Sequence, residues 1–236
     1  MINPQVQLRQ LPDTIQSPQP GLRLVEDPPP QVSFERLNSR YVRTVKPLLD
    51  RSAAIAALLV LSPLLIAVAV AVRIKLGPGV VYRQARVGRS GEVFDIIKFR
   101  SMDPERRTLS GPFAGTDRRY VHKTDDDPRH SPFGRMLRKT SLDELPQLLN
   151  VLAGHMSLIG PRPELCTVAD QYDLWEHNRH LVRPGITGAW QISEHRHELL
   201  HKNMHVDEQY LQDISPSTDA RILLSTIGTM KAKTGA

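Results

Sequence analysis

The stretch Leu137–Asn150, LRKTSLDELPQLLN, organises the sequence, because two adjacent carboxylates follow two cations and open an apolar run. Its leucines recur at helical spacing, and Ser141 with Glu144 fits the S/T-x-x-E capping box. We therefore expect Asp143 and Glu144 in the first turn of a helix, where free N–H groups and the helix dipole favour anions. Acidic residues in a first turn often only complement the dipole, so the stretch alone allows a structural or a catalytic role.

The composition favours an anionic partner. The 236 residues carry a net charge of +6, which suits nucleic acid, acidic lipid or phosphorylated small molecules. Aromatic residues make up only 5% of the chain, and no basic run is interleaved with stacking residues, so we expect no nucleic-acid partner. Cys166 is the single cysteine; this excludes an intrachain disulfide and fits a reducing compartment.

One segment has the length and composition of a membrane helix. Residues 52–72 carry no charge, and about 20 apolar residues suffice to cross a bilayer. At the centre lies Ser62-Pro63, where proline removes a backbone hydrogen bond and the serine hydroxyl can satisfy the freed carbonyl. Cations flank both ends, as is typical of cytoplasmic flanks. We therefore predict a re-entrant membrane helix over residues 43–76, broken at Ser62-Pro63; a single kinked transmembrane helix is the alternative.

Two regions are expected to lack regular structure. Residues 1–42 are proline-rich with scattered hydrophobic residues, which predicts a disordered tail without a secretory signal. Residues 103–132 are polar and include Asp125-Asp126-Asp127. We interpret them as a surface loop or lid; consecutive carboxylates there are either solvated or a metal site.

The remaining segments predict a small hairpin and stiff arginine turns. Two β-rich runs, 80–84 and 93–100, flank a glycine-containing turn, and their cations include Lys98 and Arg100. These cations are either solvated or face lipid headgroups or a diphosphate. Arg162 and Arg183 each adjoin proline in a rigid turn, which suits bidentate phosphate binding or a structural ion pair.

The C-terminal third predicts helices. We expect one over residues 167–181 and an amphipathic one over 221–230 that lies on the core or on the membrane surface. Between them, His197, His201 and His205 could share a helix face. No cysteine lies near them, and we interpret them as a solvated or phosphate-facing helix rather than as a zinc site.

Several motifs recur together in one order: the Ser-Pro-interrupted apolar segment, Gln84-x-Arg86-x-Gly88, KFRSM at 98–102, the 137–150 stretch, GPRP at 160–163 and VRPGITG at 182–188. Together they closely resemble the bacterial sugar transferases, also called monotopic phosphoglycosyl transferases, over residues 46 to 230. The resemblance implies an α/β fold, mostly helical with a small hairpin or sheet. A compact catalytic domain, residues 77–236, would sit on the cytoplasmic face of a bacterial inner membrane, with interfacial amphipathic helices.

The resemblance also implies a reaction. Such enzymes move a sugar 1-phosphate from a UDP-sugar to a polyprenyl phosphate and release UMP, at the start of surface polysaccharide or glycoconjugate synthesis. Carried over, Asp143 would be the nucleophile of a covalent phosphosugar intermediate and a ligand of Mg²⁺, with Glu144 as its partner. We expect the substrate phosphates to be bound by further residues: Lys98, Arg100, Arg138, Lys139, Arg162, Arg183, Thr187 and Gln191.

Some features depart from the family pattern or stay open. Pro47 follows Lys46 where arginine is common, and Ser193–Arg196 replaces a short Gly-Arg turn, so substrate contact by residues 193–205 is open. Expected partners are the UDP-sugar, the polyprenyl phosphate and anionic lipids, and a homodimer is possible. The transferred sugar and the pathway are not encoded in any motif. Alternatives are a membrane-anchored scaffold of the same fold, a tethered nucleic-acid binder and a metal-dependent phosphodiesterase.

Overall fold

A computed structural model describes residues 34–102, 131–198 and 200–234. It is mixed and mostly helical, with two small sheets, as the sequence predicts. Most of the expected tail and of the expected loop at 103–132, including Asp125-Asp126-Asp127, lies outside these residues. The helices and strands, in chain order, are α1 (Phe34–Leu37), α2 (Lys46–Leu76), β1 (Val81–Val87), β2 (Val93–Phe99), α3 (Pro132–Lys139), α4 (Gln147–Ala153), β3 (Ser157–Ile159), β4 (Glu164–Leu165), α5 (Cys166–Ala169), β5 (Gly185–Thr187), α6 (Ala189–Ile192), α7 (Met204–Asp213) and α8 (Pro216–Thr234).

Helix α2 is continuous, and Pro63 lies inside it. The predicted break at Ser62-Pro63 is therefore wrong as a statement about secondary structure. The missing Pro63 N–H would have bonded the Leu59 carbonyl oxygen, and the Ser62 hydroxyl donates to that oxygen instead, at 2.8 Å. The expected role of the serine is thus confirmed, and it helps to explain why the helix continues.

One face of α2 packs on the rest of the protein along its length. Its buried positions recur at helical spacing from its first turn to its last: Lys46, Asp50, Ala54, Val68 and Val72. The opposite side exposes large apolar residues: Leu48, Leu49, Ile55, Leu59, Val60, Ile66, Val70 and Ile74. Within the described residues this is the one helix whose length and apolarity suit a membrane span.

A buried polar cluster fastens the start of α2 to α8. The Asp219 carboxylate accepts hydrogen bonds from the Lys46 ammonium at 2.6 Å, the Tyr41 hydroxyl at 2.6 Å and the Tyr210 hydroxyl at 2.9 Å. One turn after Lys46, Asp50 accepts a hydrogen bond from the Ser157 hydroxyl at 2.7 Å. Buried charges are stable only when they are paired and hydrogen-bonded in this way.

The predicted hairpin is confirmed. Strands β1 and β2 are antiparallel, with Val81 opposite Phe99 and Val87 opposite Val93. The turn between them places Ser90 and Gly91 in the left-handed region, at φ 56° and 81°. Strand β4 extends this sheet at β1, and β3 pairs in parallel with β5 in a second sheet.

Much of the hydrophobic core in the described residues packs against α2. One hydrophobic cluster joins the first half of α2 to the hairpin and α4, and consists of Ala54, Phe94, Ile96, Leu148, Val151 and Met156. A second joins the other half to β2 and α3, through Val68, Val72, Phe99 and Leu137. A third lies between β3 and helices α7 and α8.

Two predictions in the C-terminal third need correction. The expected helix over 167–181 is only α5 followed later by a 3-10 segment, Glu176–Leu181. Between them the Asp173 N–H donates to the Glu176 carboxylate at 2.7 Å, in a turn and not in a helical ladder. His197, His201 and His205 do not share one helix, since they lie in three separate elements: the 3-10 turn Glu194–His197, the 3-10 turn Leu200–Lys202 and α7. The predicted C-terminal helix is confirmed as α8, which buries Ile222 and exposes Leu224 by 70%.

Candidate active site

The central stretch folds differently from the predicted single helix. A 3-10 turn, Leu142–Glu144, is followed by α4, whose N-cap is Pro146. Proline lacks an N–H and restricts the residue before it, so the run divides at this point. The predicted capping box is wrong, because Ser141 makes no side-chain cap and adopts a left-handed conformation at φ 56°.

This turn holds the carboxylate pair. The Glu144 N–H donates to the Ser141 carbonyl oxygen at 3.1 Å, which closes the turn. Asp143 is only 7% exposed, whereas Glu144 is half-buried. A non-glycine residue with positive φ, such as Ser141, is uncommon and costs about 1 kcal/mol or more. The turn therefore fixes the positions of both carboxylates at some cost in backbone conformational energy.

Two predicted phosphate-binding cations meet this turn. The Lys98 ammonium donates to Glu144 Oε1 at 2.7 Å, and a guanidinium nitrogen of Arg162 lies 3.7 Å from the same oxygen. Burial lowers the pKa of Lys98, and the Glu144 carboxylate opposes that change. Asp143 also stabilises the charged lysine. The site thus gathers two cations beside two carboxylates.

A side chain on α4 positions Lys98. The Asn150 amide accepts a hydrogen bond from the Ile97 N–H at 2.9 Å and donates to the Asp95 carbonyl oxygen at 2.8 Å. Asn150 is 2% exposed, so these bonds are shielded from water and fasten α4 to the strand that carries Lys98. In the sequence, this role is indicated only by a polar residue within an apolar run.

The turn that carries Arg162 is held from two sides. Its neighbour Gly160 approaches the Arg183 turn closely enough that a Cβ there would lie 2.5 Å from the Arg183 carbonyl oxygen. The Arg162 carbonyl oxygen accepts a hydrogen bond from Arg179 at 2.7 Å, and Arg179 in turn forms an ion pair with Asp207 at 2.8 Å. Both of these side chains are 2% exposed.

A small cleft opens beside Lys98 and Arg162. It is also lined by Arg86 and Gln147, neither of which the sequence singled out as a binding residue. Burial and the nearby Arg162 guanidinium lower the pKa of Arg86. Arg86 lies within the Gln84-x-Arg86-x-Gly88 motif, and that motif was the one available signal for it.

The other predicted site residues are placed in two groups. Arg138 and Lys139 occupy the last turn of α3, just before the carboxylate turn. The remaining side chains contact other parts of the molecule: Arg100 donates to the Leu76 and Gly77 carbonyl oxygens, Arg183 to the Gly154 carbonyl oxygen, Gln191 to the Ile186 carbonyl oxygen, and Thr187 bonds Thr226. The structure thus brings together Asp143, Glu144, Lys98 and Arg162. Arg100 instead binds carbonyl oxygens at the C-terminal end of α2.

The carboxylates of this turn could bind a magnesium ion together with the substrate phosphates. Among the described residues no group of three or more histidine, cysteine or acidic side chains forms a metal site. Mg²⁺ commonly needs only one or two carboxylates, and takes its other ligands from substrate phosphates and water. The adjacent carboxylates of Asp143 and Glu144 meet that requirement.

Comparison with known proteins identifies the family of this chain. The bacterial sugar transferase family matches residues 41–233. The exopolysaccharide production protein ExoY of Sinorhizobium fredii is 39% identical over 183 residues, which cover 74% of this chain and 80% of that protein. The UDP-glucose:undecaprenyl-phosphate glucose-1-phosphate transferase of Escherichia coli is 38% identical over 178 residues, 72% of this chain and 36% of that protein.

Larger relatives share only part of their length with this chain. The undecaprenyl-phosphate galactose phosphotransferase of Salmonella typhimurium is 36% identical over 210 residues, 85% of this chain but 43% of that protein. The family match includes α2, the hairpin, the carboxylate turn and the arginine turns. The chain therefore belongs to the bacterial sugar transferase family.

Proposed function

We propose that this chain transfers a sugar 1-phosphate from a UDP-sugar to polyprenyl phosphate and releases UMP. The observation that carries the proposal is the carboxylate turn, in which Glu144 pairs with Lys98 and Arg162 next to the buried carboxylate of Asp143. The names of the Escherichia coli and Salmonella typhimurium relatives describe this class of reaction. They differ in the sugar, glucose or galactose, so the donor sugar is a property to be measured.

The reaction proceeds in two displacements. A carboxylate oxygen of Asp143 attacks the phosphorus that bears the sugar, the bond from that phosphorus to the UMP oxygen breaks, and UMP leaves with the electron pair. A phosphate oxygen of polyprenyl phosphate then attacks the same phosphorus, and the Asp143 carboxylate is released. Covalent catalysis of this kind predicts ping-pong kinetics.

The cations make the first displacement possible. An anionic nucleophile and a diphosphate repel each other, so the attack requires preorganised positive charge around the phosphates. Glu144 holds Lys98 and Arg162 beside Asp143, and Arg86 lies in the same cleft. The low exposure of Asp143 limits the access of water to the acyl phosphate.

Asp143, with Glu144 beside it, would hold Mg²⁺ together with the substrate phosphates. When bound, the ion neutralises charge on the phosphate oxygens. The chain's own cations orient the diphosphate, and Glu144 keeps them in place.

The protein is proposed to stay on the cytoplasmic face of the inner membrane, with both ends of α2 on that face. From Lys46 to Val72 the buried face of α2 extends about 39 Å, at about 1.5 Å per residue, whereas the hydrocarbon core is about 30 Å thick. A crossing α2 would draw the polar domain packed on it into the hydrocarbon. The exposed apolar side therefore fits a helix that is embedded in one leaflet, with the packed domain on the cytoplasmic side.

Product release tests the reaction. Purified wild-type protein is incubated with Mg²⁺, polyprenyl phosphate and a panel of UDP-sugars, and UMP is measured. We expect release with at least one donor, dependent on the lipid acceptor, and abolished in Asp143→Asn but not in the exposed control Asp170→Asn. If the wild type releases no UMP with any donor, the membrane-anchored scaffold of the same fold is favoured. UMP release by Asp143→Asn would show that Asp143 is not the nucleophile.

Cysteine labelling tests the membrane placement. In a Cys166→Ser background, single cysteines are introduced at Arg40, which precedes α2, and at Lys75, which lies in the last turn of α2. A reagent that cannot cross the inner membrane should label neither position in intact cells and both in inside-out vesicles. Labelling of one position in intact cells would show that α2 crosses the membrane.

A further inference from the structure

Arg51 and Arg183, from separate segments, meet at Gly154, just after α4, and Arg89 in the hairpin turn is close enough to Arg183 to repel it. We name Arg51, Arg89 and Arg183 the arginine cluster. Arg183 Nε donates to the Gly154 carbonyl oxygen at 2.8 Å. A Cβ on Gly154 would lie 2.6 Å from a guanidinium nitrogen of Arg51, so that guanidinium lies directly against this glycine. The hairpin turn that carries Arg89 contacts the 3-10 segment that ends two residues before Arg183.

The cluster concentrates positive charge. Burial lowers the pKa of Arg183, and Arg89 and Arg51 lower it further by repulsion. Asp50 is the acidic group that opposes this, and it is engaged with Ser157. In the described parts of the chain the arginine and lysine ion pairs with carboxylates involve other cations: Arg36, Lys46, Arg86, Lys98, Arg162 and Arg179. Like charges held together in this way create a site for an anion.

The cluster is separate from the carboxylate turn. Arg89 lies in the hairpin turn, whereas Lys98 lies near the far end of β2. From Val93 to Lys98 the strand extends about 17 Å, at about 3.3 Å per residue. An anion at the cluster would therefore not be the phosphate that reacts at Asp143.

Apolar side chains border the cluster. On α2, Leu48 and Ile55 lie three residues before and four residues after Arg51 and are 59% and 47% exposed; Leu152, two residues before Gly154, is 38% exposed. A charged site with an apolar rim suits a ligand that has a phosphate and acyl chains. A soluble nucleotide would gain nothing from that rim.

We propose that the arginine cluster binds the phosphate of an anionic phospholipid headgroup at the membrane surface. The inference rests on the proposed membrane placement of α2. A lipid phosphate held at Gly154 would link α2, the hairpin turn and the Arg183 turn, and so would fix the rotation of the domain on the membrane.

Vesicle partition tests the proposal with the full-length chain. Vesicles contain phosphatidylcholine alone, or phosphatidylcholine with an equal amount of phosphatidylglycerol. The variant Arg51→Gln/Arg89→Gln is compared with wild type and with Arg83→Gln/Arg135→Gln, which removes the same charge from exposed positions outside the cluster. An arginine near an anionic surface contributes about fivefold to partition, so we expect the cluster variant to bind the anionic vesicles roughly thirtyfold more weakly. The control should lose less than about threefold, and binding to phosphatidylcholine should be equal for all three.

Each other result overturns the inference in a different way. Equal losses in the cluster variant and the control would mean that only total charge matters. A defect that appears only when polyprenyl phosphate is added to neutral vesicles would assign the cluster to the acceptor. Failure of the wild type to bind any vesicle would refute the membrane placement itself, whereas normal binding to neutral vesicles with no loss in the cluster variant would refute only the lipid site.

Discussion

Replacing Arg179 should separate the stability of the fold from the positioning of Arg162. In Arg179→Met the Asp207 carboxylate, 1% exposed, would be left without its guanidinium partner. Removing one member of a buried ion pair costs about 3–5 kcal/mol of unfolding free energy. In Arg179→Met/Asp207→Leu the buried charge is also removed, so most of that loss should be recovered. About 1–2 kcal/mol would remain, because the Arg162 carbonyl and the Tyr172 hydroxyl lose their bonds to Arg179.

Activity should not follow stability. The double variant still lacks the 2.7 Å hydrogen bond that holds the Arg162 carbonyl, and a displaced cation at the carboxylate turn should lower the rate of UMP release by about tenfold or more. Urea unfolding in detergent gives the stabilities, and UMP release under saturating donor gives the rates, with Asp207→Leu completing the cycle. Recovery of both stability and rate in the double variant would refute a positioning role for Arg179.

Three further changes test other parts of the structure. Asn150→Ala removes two shielded hydrogen bonds to β2 and should lower the unfolding free energy by about 1–3 kcal/mol, as measured by urea unfolding. Asn150→Asp should retain the acceptor of one of these bonds. Unchanged stability of Asn150→Ala would contradict the role given to these bonds. Burial, aided by Arg179, lowers the pKa of His180 to about 4 from 6.5, so the unfolded chain binds the proton first and stability falls as the pH drops below 6.5. Between pH ~7.5 and ~5 the wild type should lose about 2 kcal/mol more than His180→Phe, which keeps a ring against Tyr172; equal losses would show that His180 titrates normally. Chelation with EDTA should abolish UMP release, and added Mg²⁺ should restore it. Neither treatment should change the unfolding midpoint of the substrate-free protein. Full activity in EDTA would show that the proposed reaction needs no metal.

Local patterns predicted much of the fold. Two β-rich runs around a glycine-containing turn predicted the hairpin, and the uncharged run predicted α2. The bond from Ser62 to the Leu59 carbonyl was also predictable, because it depends on residues three positions apart. Such features depend on neighbours in the chain, which the sequence displays directly.

The positioning contacts could not be predicted in the same way. Lys98 and Glu144 are 46 residues apart, and Asn150 reaches a backbone 53 and 55 residues away. No periodicity encodes such pairs. The sequence also made Arg100 and Arg162 look alike, as arginines in or beside short strands. Only the packing shows that Arg100 serves the α2 carbonyls while Arg162 faces Glu144.

The central claim is that Asp143 carries the phosphosugar, and protein mass spectrometry tests it most directly. Wild-type protein is incubated with the active UDP-sugar and Mg²⁺ but without polyprenyl phosphate, then quenched and digested. We predict that the peptide containing Asp143 gains the mass of one sugar phosphate, that polyprenyl phosphate removes this mass, and that Asp143→Asn never acquires it. A phosphosugar on another residue, or lipid product formed by an enzyme that never acquires the added mass, would contradict the account.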